Sequence, residues 1–302
     1  MWGLPWAASF WRWPSSQSQQ ARTHHPNSPC PTAGATEHYI MYPVITHIGP
    51  VVLYSYGTML VVAFAAALLW TARQAKQRGV SADFAVDMAL WMLVGGIVGA
   101  RAVFVLLDRA SYANWMDALR TWQGGLSFHG GLIGALAALG LFAWRRRASF
   151  WELTDLASPG AALGYAFARV GCFLNGCCYG VPTKLPWACT FRDPLSPTGV
   201  TPPSHPVQLY ASLANLAIFA VLVRIASRRP KPGIAFASYL ALYSIYRFLA
   251  EFLRKGVTAR VLVGGFTEAQ VASAALFLVA VLLGVVMARR GPQPAAASEP
   301  AP

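Results

Sequence analysis

Seven apolar segments divide this chain of 302 residues, and each has roughly the length of a helix that crosses a lipid bilayer. Such a helix needs about 20 mostly apolar residues. Inside hydrocarbon there is no water, so each backbone N–H and C=O group must form its hydrogen bond within the spanning structure. A single segment of this length meets that requirement as an α-helix. The segments are approximately 50–71, 84–107, 126–144, 153–173, 207–226, 233–253 and 267–288. The sequence therefore predicts an all-α membrane protein with seven transmembrane helices.

Basic clusters in the loops predict the orientation of these helices. One cluster follows each odd-numbered segment, and cytoplasmic loops characteristically carry an excess of Lys and Arg. The clusters are Arg73, Lys76 and Arg78, then Arg145, Arg146 and Arg147, then Arg224, Arg228, Arg229 and Lys231, and finally Arg289 and Arg290. We therefore expect a multi-pass protein with its N-terminus outside and its C-terminus in the cytoplasm.

Composition supports a lipid environment and argues against nucleic acid. The chain is 56% hydrophobic and only 12% charged, which is typical of polytopic membrane proteins. The formal net charge of +13 comes from short basic runs between apolar segments. Because these runs form no basic domain that could read bases, we expect the lipid bilayer as a partner and no nucleic acid.

The chain divides into one long domain and two short ends. Residues 1–40 combine tryptophans with a polar run, and we expect a disordered extension. A second interpretation is that the natural chain starts at Met41. Residues 41–290 hold the seven spans, and the Pro- and Ala-rich residues 291–302 predict a disordered tail. The loop at about 174–206 predicts a small ordered subdomain on the outer side, between the fourth and fifth spans.

Three arginines lie inside the apolar segments: Arg101, Arg169 and Arg247. Burying an arginine in hydrocarbon costs roughly 2.5 to 3.5 kcal/mol on insertion scales, so such residues usually serve a function. Together they predict a buried pocket for an anion. Arg101 follows a glycine-rich stretch, and both a place in the pocket and a role in helix packing remain open for it.

Polar residues around Arg247 share one predicted helix face. Tyr243, Arg247, Glu251 and Arg254 step by four, four and three residues, so Glu251 can pair with both arginines. A purely structural ladder that holds helices together is the alternative.

His129 stands beside Gly130 at the start of the third span, where it either serves function or makes an interhelical hydrogen bond. The adjacent glycines allow close approach of a ligand or of another helix.

Four cysteines lie between positions 172 and 189, and none has the Cys-x-x-Cys spacing of a common zinc site. We interpret Cys172, Cys177, Cys178 and Cys189 mainly as small apolar packing residues. A disulfide from Cys177 or Cys178 to Cys189, thiol catalysis and a metal site remain alternatives. The prediction is that the protein uses neither a metal ion nor a cofactor.

Six motifs in order resemble the bacterial prolipoprotein diacylglyceryl transferases, from Met41 to about Arg290. They are MYPVITHIGPVVLYSYG, GARAVFV, WQGGLSFHGGLIG, ARVGCFLNG with the following CCYG, HPVQLY and YRFLAEFLR. The resemblance implies an enzyme of the bacterial cytoplasmic (inner) membrane. Such an enzyme moves the diacylglyceryl group of phosphatidylglycerol to the thiol of a lipobox cysteine in prolipoprotein signal peptides, which forms a thioether and releases glycerol phosphate.

The resemblance also implies roles for single residues. Arg169 and Arg247 match essential arginines and would grip the lipid phosphate, while His129 of the HGG motif would deprotonate or orient the thiol. Tyr56, Asn175, Gly180, Glu251 and Arg101 complete the expected substrate-binding set.

The chain departs from the pattern of the family at three positions. Many members carry Asn at Cys172, Glu at Cys177 and Glu at Ala211, which leaves any polar role of these positions in doubt. A non-catalytic paralogue, or a lipid or solute transporter with the same fold, is therefore the alternative function.

Overall fold

The computed structural model describes the chain in six ranges: 41–49, 51–108, 125–192, 199–254, 261–263 and 265–290. The predicted disordered extension (1–40) and disordered tail (291–302) lie outside these ranges. The natural start at Met41 also stays a prediction.

Seven long helices occur in the described part of the chain, and each coincides with one predicted segment. They are α1 (Ser55–Gln77), α2 (Ala82–Leu107), α3 (Phe128–Arg145), α4 (Phe150–Leu174), α5 (Val207–Ser227), α6 (Ile234–Ala250) and α7 (Glu268–Arg289). Five of them, all except α4 and α6, are long and apolar enough to cross a membrane. The apolar run of α4 is interrupted by charged residues, and α6 has only 17 residues. The described part of the protein is thus mainly helical and contains five candidate membrane spans.

Short strands precede two of the helices. β1 (Val44–Ile48) pairs with β2 (Val51–Tyr54) in an antiparallel hairpin that leads into α1. β3 (Val261–Val263) pairs with β4 (Phe266–Thr267) before α7. Thr267 then caps α7, because its hydroxyl accepts from the Gln270 N–H while the Gln270 side chain accepts from the Thr267 N–H.

The described chain forms two compact units. The first contains residues 88–142, which include most of α2 and α3, and the second contains residues 41–87 and 143–290. In the first unit, glycines let α2 and α3 touch backbone to backbone. A Cβ on Gly99 would lie 2.4 Å from the Gly130 carbonyl oxygen, and one on Gly134 would lie 2.2 Å from that of Gly95. The packing alternative for the glycines beside His129 is therefore confirmed for Gly130.

In the second unit, α4 is the central helix and packs against α1, α5 and α6, while α6 packs against α7. Gly160 and Gly164 of α4 allow the α1 backbone to approach closely, since a Cβ on Gly160 would lie 2.9 Å from the Ala67 carbonyl oxygen. Asp155 of α4 accepts hydrogen bonds from the backbone N–H groups of Gly233 and Phe236 at 2.8 and 2.7 Å. This carboxylate satisfies two otherwise unpaired donors at the start of α6.

The loop between α4 and α5 is tied together by backbone hydrogen bonds. Isolated antiparallel bridges join Pro182 and Cys189 to Ser204. Phe191 is fully buried and stacks on Tyr179, with ring centroids 5.2 Å apart. The described part of the predicted subdomain thus has its own small aromatic core, and its placement outside the membrane stays a prediction.

Candidate active site

Arg169 lies near the end of α4 and is held by a tyrosine one turn earlier. Its guanidinium donates a hydrogen bond to the Tyr165 hydroxyl and lies over the Tyr165 ring, 4.7 Å from the ring centroid. The Tyr165 ring in turn meets the Tyr243 ring edge-on at 5.6 Å. Cation–π and hydrogen-bond contacts to one residue fix the direction of the guanidinium without neutralising its charge. The sequence prediction missed Tyr165, although its position four residues before Arg169 is the spacing that brings two helical side chains together.

Arg247 lies in the last turn of α6 and pairs with Glu251. The distance from Arg247 Nη1 to Glu251 Oε2 is 2.5 Å, and the two side chains are 17% and 4% exposed. The other carboxylate oxygen, Oε1, accepts from the Thr267 hydroxyl at 3.3 Å. The predicted pairing of Arg247 with Glu251 is confirmed.

The predicted second pairing, from Glu251 to Arg254, does not form among the described residues. The reason is local. The α-helix ends at Ala250, a single 3-10 turn covers Glu251–Leu253, and Arg254 adopts an extended conformation. Arg254 therefore leaves the helix face that the sequence spacing had given it.

Three arginines instead surround one small cavity of about 20 Å³, which is room for roughly one water molecule. The lining residues are Arg169, Arg247, Arg254, Cys178, Val207, Ala211, Tyr246 and Ala250. Among these described lining residues there are three guanidinium groups and no carboxylate, while Glu251, which pairs with Arg247, is not one of the lining residues. The cavity thus has an excess of positive charge, and several guanidinium groups in one place suit the oxygens of a phosphate. A lipid headgroup would require the side chains to move apart.

Gly180 explains how Arg254 reaches the cavity. Gly180 and Arg254 form an isolated antiparallel bridge, and the neighbouring Val181 N–H donates to the Leu253 carbonyl at 2.9 Å. A Cβ on Gly180 would lie 2.5 Å from that carbonyl oxygen and 2.8 Å from the Cβ of His205. The structure therefore gives Gly180 a packing role that positions the loop, while substrate contact by Gly180 remains a prediction.

Tyr56, in the first turn of α1, and Asn175, at the end of α4, are not among the residues that line the arginine cavity. The Tyr56 ring comes within 3.5 Å of the position that a Cβ on Gly171 would take. Asn175 is the C-cap residue of α4 and is exposed. Tyr56 is thus close to Gly171 in space, Asn175 follows Arg169 within the same chain segment, and contact of either residue with substrate stays a prediction.

Three of the four cysteines form a cluster at this same end of α4. The sulfur atoms of Cys172, Cys177 and Cys178 all lie within 4.8 Å of one another. These three and Cys189 are free thiols, so the alternative of a disulfide to Cys189 is not formed in this structure. Hydrogen bonds from the Cys172 and Cys177 thiols lower the pKa of Cys178.

Arg101 and His129 belong to the first unit. Arg101 is 8% exposed, and its Nη1 donates to the Gly125 carbonyl oxygen at 3.0 Å. Gly125 has a φ of +80°, which glycine adopts without strain. His129 lies in the first turn of α3, is exposed, and meets the Phe128 ring edge-on at 5.9 Å. Within the described ranges His129 makes no interhelical hydrogen bond, and its functional role and that alternative both stay predictions.

Comparisons with known proteins agree on one family. A family profile for prolipoprotein diacylglyceryl transferase matches residues 43–286. A phosphatidylglycerol–prolipoprotein diacylglyceryl transferase of Geobacter sulfurreducens is 33% identical over 254 residues, which cover 82% of this chain and 96% of the relative. The enzyme of the same name from Pseudomonas fluorescens is 38% identical over 218 residues, covering 70% and 80%. That from Bordetella avium is 34% identical over 256 residues, covering 82% and 95%.

Proposed function

Because this chain belongs to the prolipoprotein diacylglyceryl transferase family and is therefore a transferase, we propose that it acts on phosphatidylglycerol and prolipoproteins. The names of its relatives state this donor and this acceptor. In the proposed reaction the diacylglyceryl group moves to the thiol of the lipobox cysteine. The products are a thioether-linked lipoprotein and glycerol phosphate.

The observation that carries this proposal is the cavity lined by Arg169, Arg247 and Arg254. The substrate thiolate attacks the glycerol carbon of the diacylglyceryl group, so a sulfur–carbon bond forms while the carbon–oxygen bond to phosphate breaks. The bonding electrons leave on the phosphate oxygen. Guanidinium groups aimed at that oxygen stabilise the charge that develops there, and they also bind the phosphate before reaction.

The thiol proton needs an acceptor, and we propose that His129 either accepts this proton or orients the thiol. A free cysteine has a pKa of about 8.5, so little thiolate is present at neutral pH. Histidine titrates near neutral pH and is the usual base for such a step. This assignment rests on the HGG motif and on the exposure of His129. Tyr56 and Asn175 are proposed to donate hydrogen bonds to the headgroup.

We further propose a seven-span arrangement in the bacterial inner membrane, with the N-terminus outside and the C-terminus in the cytoplasm. The seven helices and the basic clusters after α1, α3, α5 and α7 support it. This orientation puts the end of α4, with Arg169 and the following loop, at the outer surface. Both substrates would then reach the cavity by lateral diffusion within the lipid.

Purified protein incubated with phosphatidylglycerol and a lipobox peptide tests the function directly. We expect a thioether-linked diacylglyceryl peptide and an equal amount of glycerol phosphate, both detectable by mass spectrometry. Peptide binding without product would favour the non-catalytic paralogue, and lipid or solute flux without product would favour the transporter. A His129→Ala variant with normal rates at pH 7 would rule out the base role while leaving the phosphate site intact.

A further inference from the structure

The turn that ends α4 brings two cysteines together. The N–H of Cys177 donates to the Cys172 carbonyl at 3.1 Å, and the N–H of Gly176 donates to that of Phe173 at 3.0 Å. This pair of bonds is a Schellman motif, with Gly176 in the left-handed conformation at φ +75°. The motif characteristically places the residue after the glycine over the last turn of the helix. It therefore sets the Cys177 side chain against that of Cys172.

Cys178 joins them through an unusual backbone conformation. Its φ is +63°, a left-handed value that non-glycine residues seldom adopt and that costs of order 1 kcal/mol or more. The loop is held from the other side by Gln208, which is 1% exposed and donates through Nε2 to the Cys177 carbonyl at 2.7 Å. A strained residue fixed by its surroundings is a feature of functional sites, and here three thiols lie within 4.8 Å of one another.

We propose that Cys172, Cys177 and Cys178 bind one zinc ion. Their sulfur atoms lie within 4.8 Å of one another. In a tetrahedral zinc site with Zn–S bonds of about 2.3 Å the sulfurs are about 3.8 Å apart, so small side-chain rotations close the site. Thiolates select zinc and other soft ions over magnesium or calcium. The fourth position is left for an exchangeable ligand such as water.

Charge around the cluster suits the occupied site. Binding releases three protons, and three thiolates with one Zn²⁺ carry a net charge of −1. Cys178 lines the same cavity as Arg169 and Arg254, whose positive charges offset it. The spacing of the three cysteines is not Cys-x-x-Cys, and a metal site was the alternative to the sequence prediction that they serve mainly in packing. The zinc site does not depend on the proposed transfer reaction.

Metal content and cobalt substitution test the assignment. After washing with a weak chelator, the purified full-length protein should retain about one zinc per chain. Replacement by Co²⁺ should give thiolate-to-cobalt charge-transfer absorption and the visible bands of tetrahedral cobalt. Cys172→Ser, Cys177→Ser and Cys178→Ser should each weaken Co²⁺ binding at least about 10-fold, since each removes a ligand. Cys189→Ser is the matched control and should bind as the wild type does.

A second measurement uses the wild-type protein, so it does not depend on the folding of the variants. Zinc should slow alkylation of Cys177 and Cys178 by N-ethylmaleimide at least about 10-fold and leave Cys189 unchanged, as read by peptide mass spectrometry. Equal labelling with and without zinc would overturn the proposal. So would a disulfide among the three cysteines in the purified protein, or cobalt absorption that persists when all three are replaced by serine.

Discussion

Two regions of this protein bury arginine in different ways. In the first unit, Arg101 donates to the Gly125 carbonyl beside glycine-packed helices. In the second unit, Arg169 and Arg247 share a cavity with Arg254, and Glu251 is the carboxylate paired with Arg247. If Arg101 serves only helix packing, a buried arginine does not by itself mark a ligand site, and its place in substrate binding stays a prediction. Excess positive charge around a common cavity is the more specific sign of a place for an anion.

The largest expected effect is on catalysis in the second unit. Arg169→Gln and Arg247→Gln should each lower the rate of thioether formation by about 100- to 1000-fold, because in the proposed reaction each removes a group that stabilises the leaving phosphate. The assay with phosphatidylglycerol and lipobox peptide measures this. Arg224→Gln, in the exposed basic cluster at the end of α5, is the control and should keep the wild-type rate. Full activity in Arg247→Gln would remove the phosphate-binding role.

The helix packing of the first unit should be the most sensitive to added volume. Gly134→Leu should lower the free energy of unfolding by about 2 to 3 kcal/mol, because even its Cβ would overlap the Gly95 carbonyl. Gly131→Ala is the matched control, since its Cβ would lie 3.5 Å from its nearest neighbours. Unfolding in detergent, followed by denaturant titration, compares the two. Equal stability would show that α2 and α3 do not pack as described.

The comparison predicts a smaller stability loss for Arg101. Arg101→Ala should cost about 1 to 2 kcal/mol, because the Gly125 carbonyl loses a charged donor in a part-buried place. The same unfolding titration measures it, with Arg224→Ala in the exposed basic cluster at the end of α5 as the reference. Unchanged stability together with a loss of activity as large as that of Arg247→Gln would place Arg101 in the pocket and erase the distinction between the two regions.

Gly180 should show the smallest effect among these changes. Gly180→Ala must push the loop away from Leu253 and so displace Arg254, and we expect about a 10-fold lower rate with the protein still folded. Gly57→Ala is the control, because its Cβ would meet no atom within 4 Å. If both variants retained the wild-type rate, the position of Arg254 would not matter for the reaction.

The positions of the helices could be predicted from sequence because hydrophobic length is a local property. The pairing of Arg247 with Glu251 was predictable for the same reason, since both lie within one helical turn. The position of Arg254 could not be predicted, because the change from α-helix to a 3-10 turn at Glu251 takes Arg254 off the helix face.

The cysteine cluster was also beyond the sequence pattern. It depends on a helix-ending turn and on a left-handed conformation at Cys178, a residue type that gives no signal for it. The shared cavity depends on residues from the α4 end, the following loop and the α6 end, and only the packed structure shows that these meet.

Binding of phosphatidylglycerol tests the central claim most directly, since the claim concerns an anion site. Native mass spectrometry of the purified protein can compare phosphatidylglycerol with diacylglycerol, which lacks the phosphate. We predict clear preference for phosphatidylglycerol, and an affinity about 10- to 100-fold lower in Arg169→Gln and in Arg247→Gln, as expected for loss of one charged hydrogen-bond donor. Affinity in both variants within twofold of the wild type, or equal binding of the two lipids, would contradict the account.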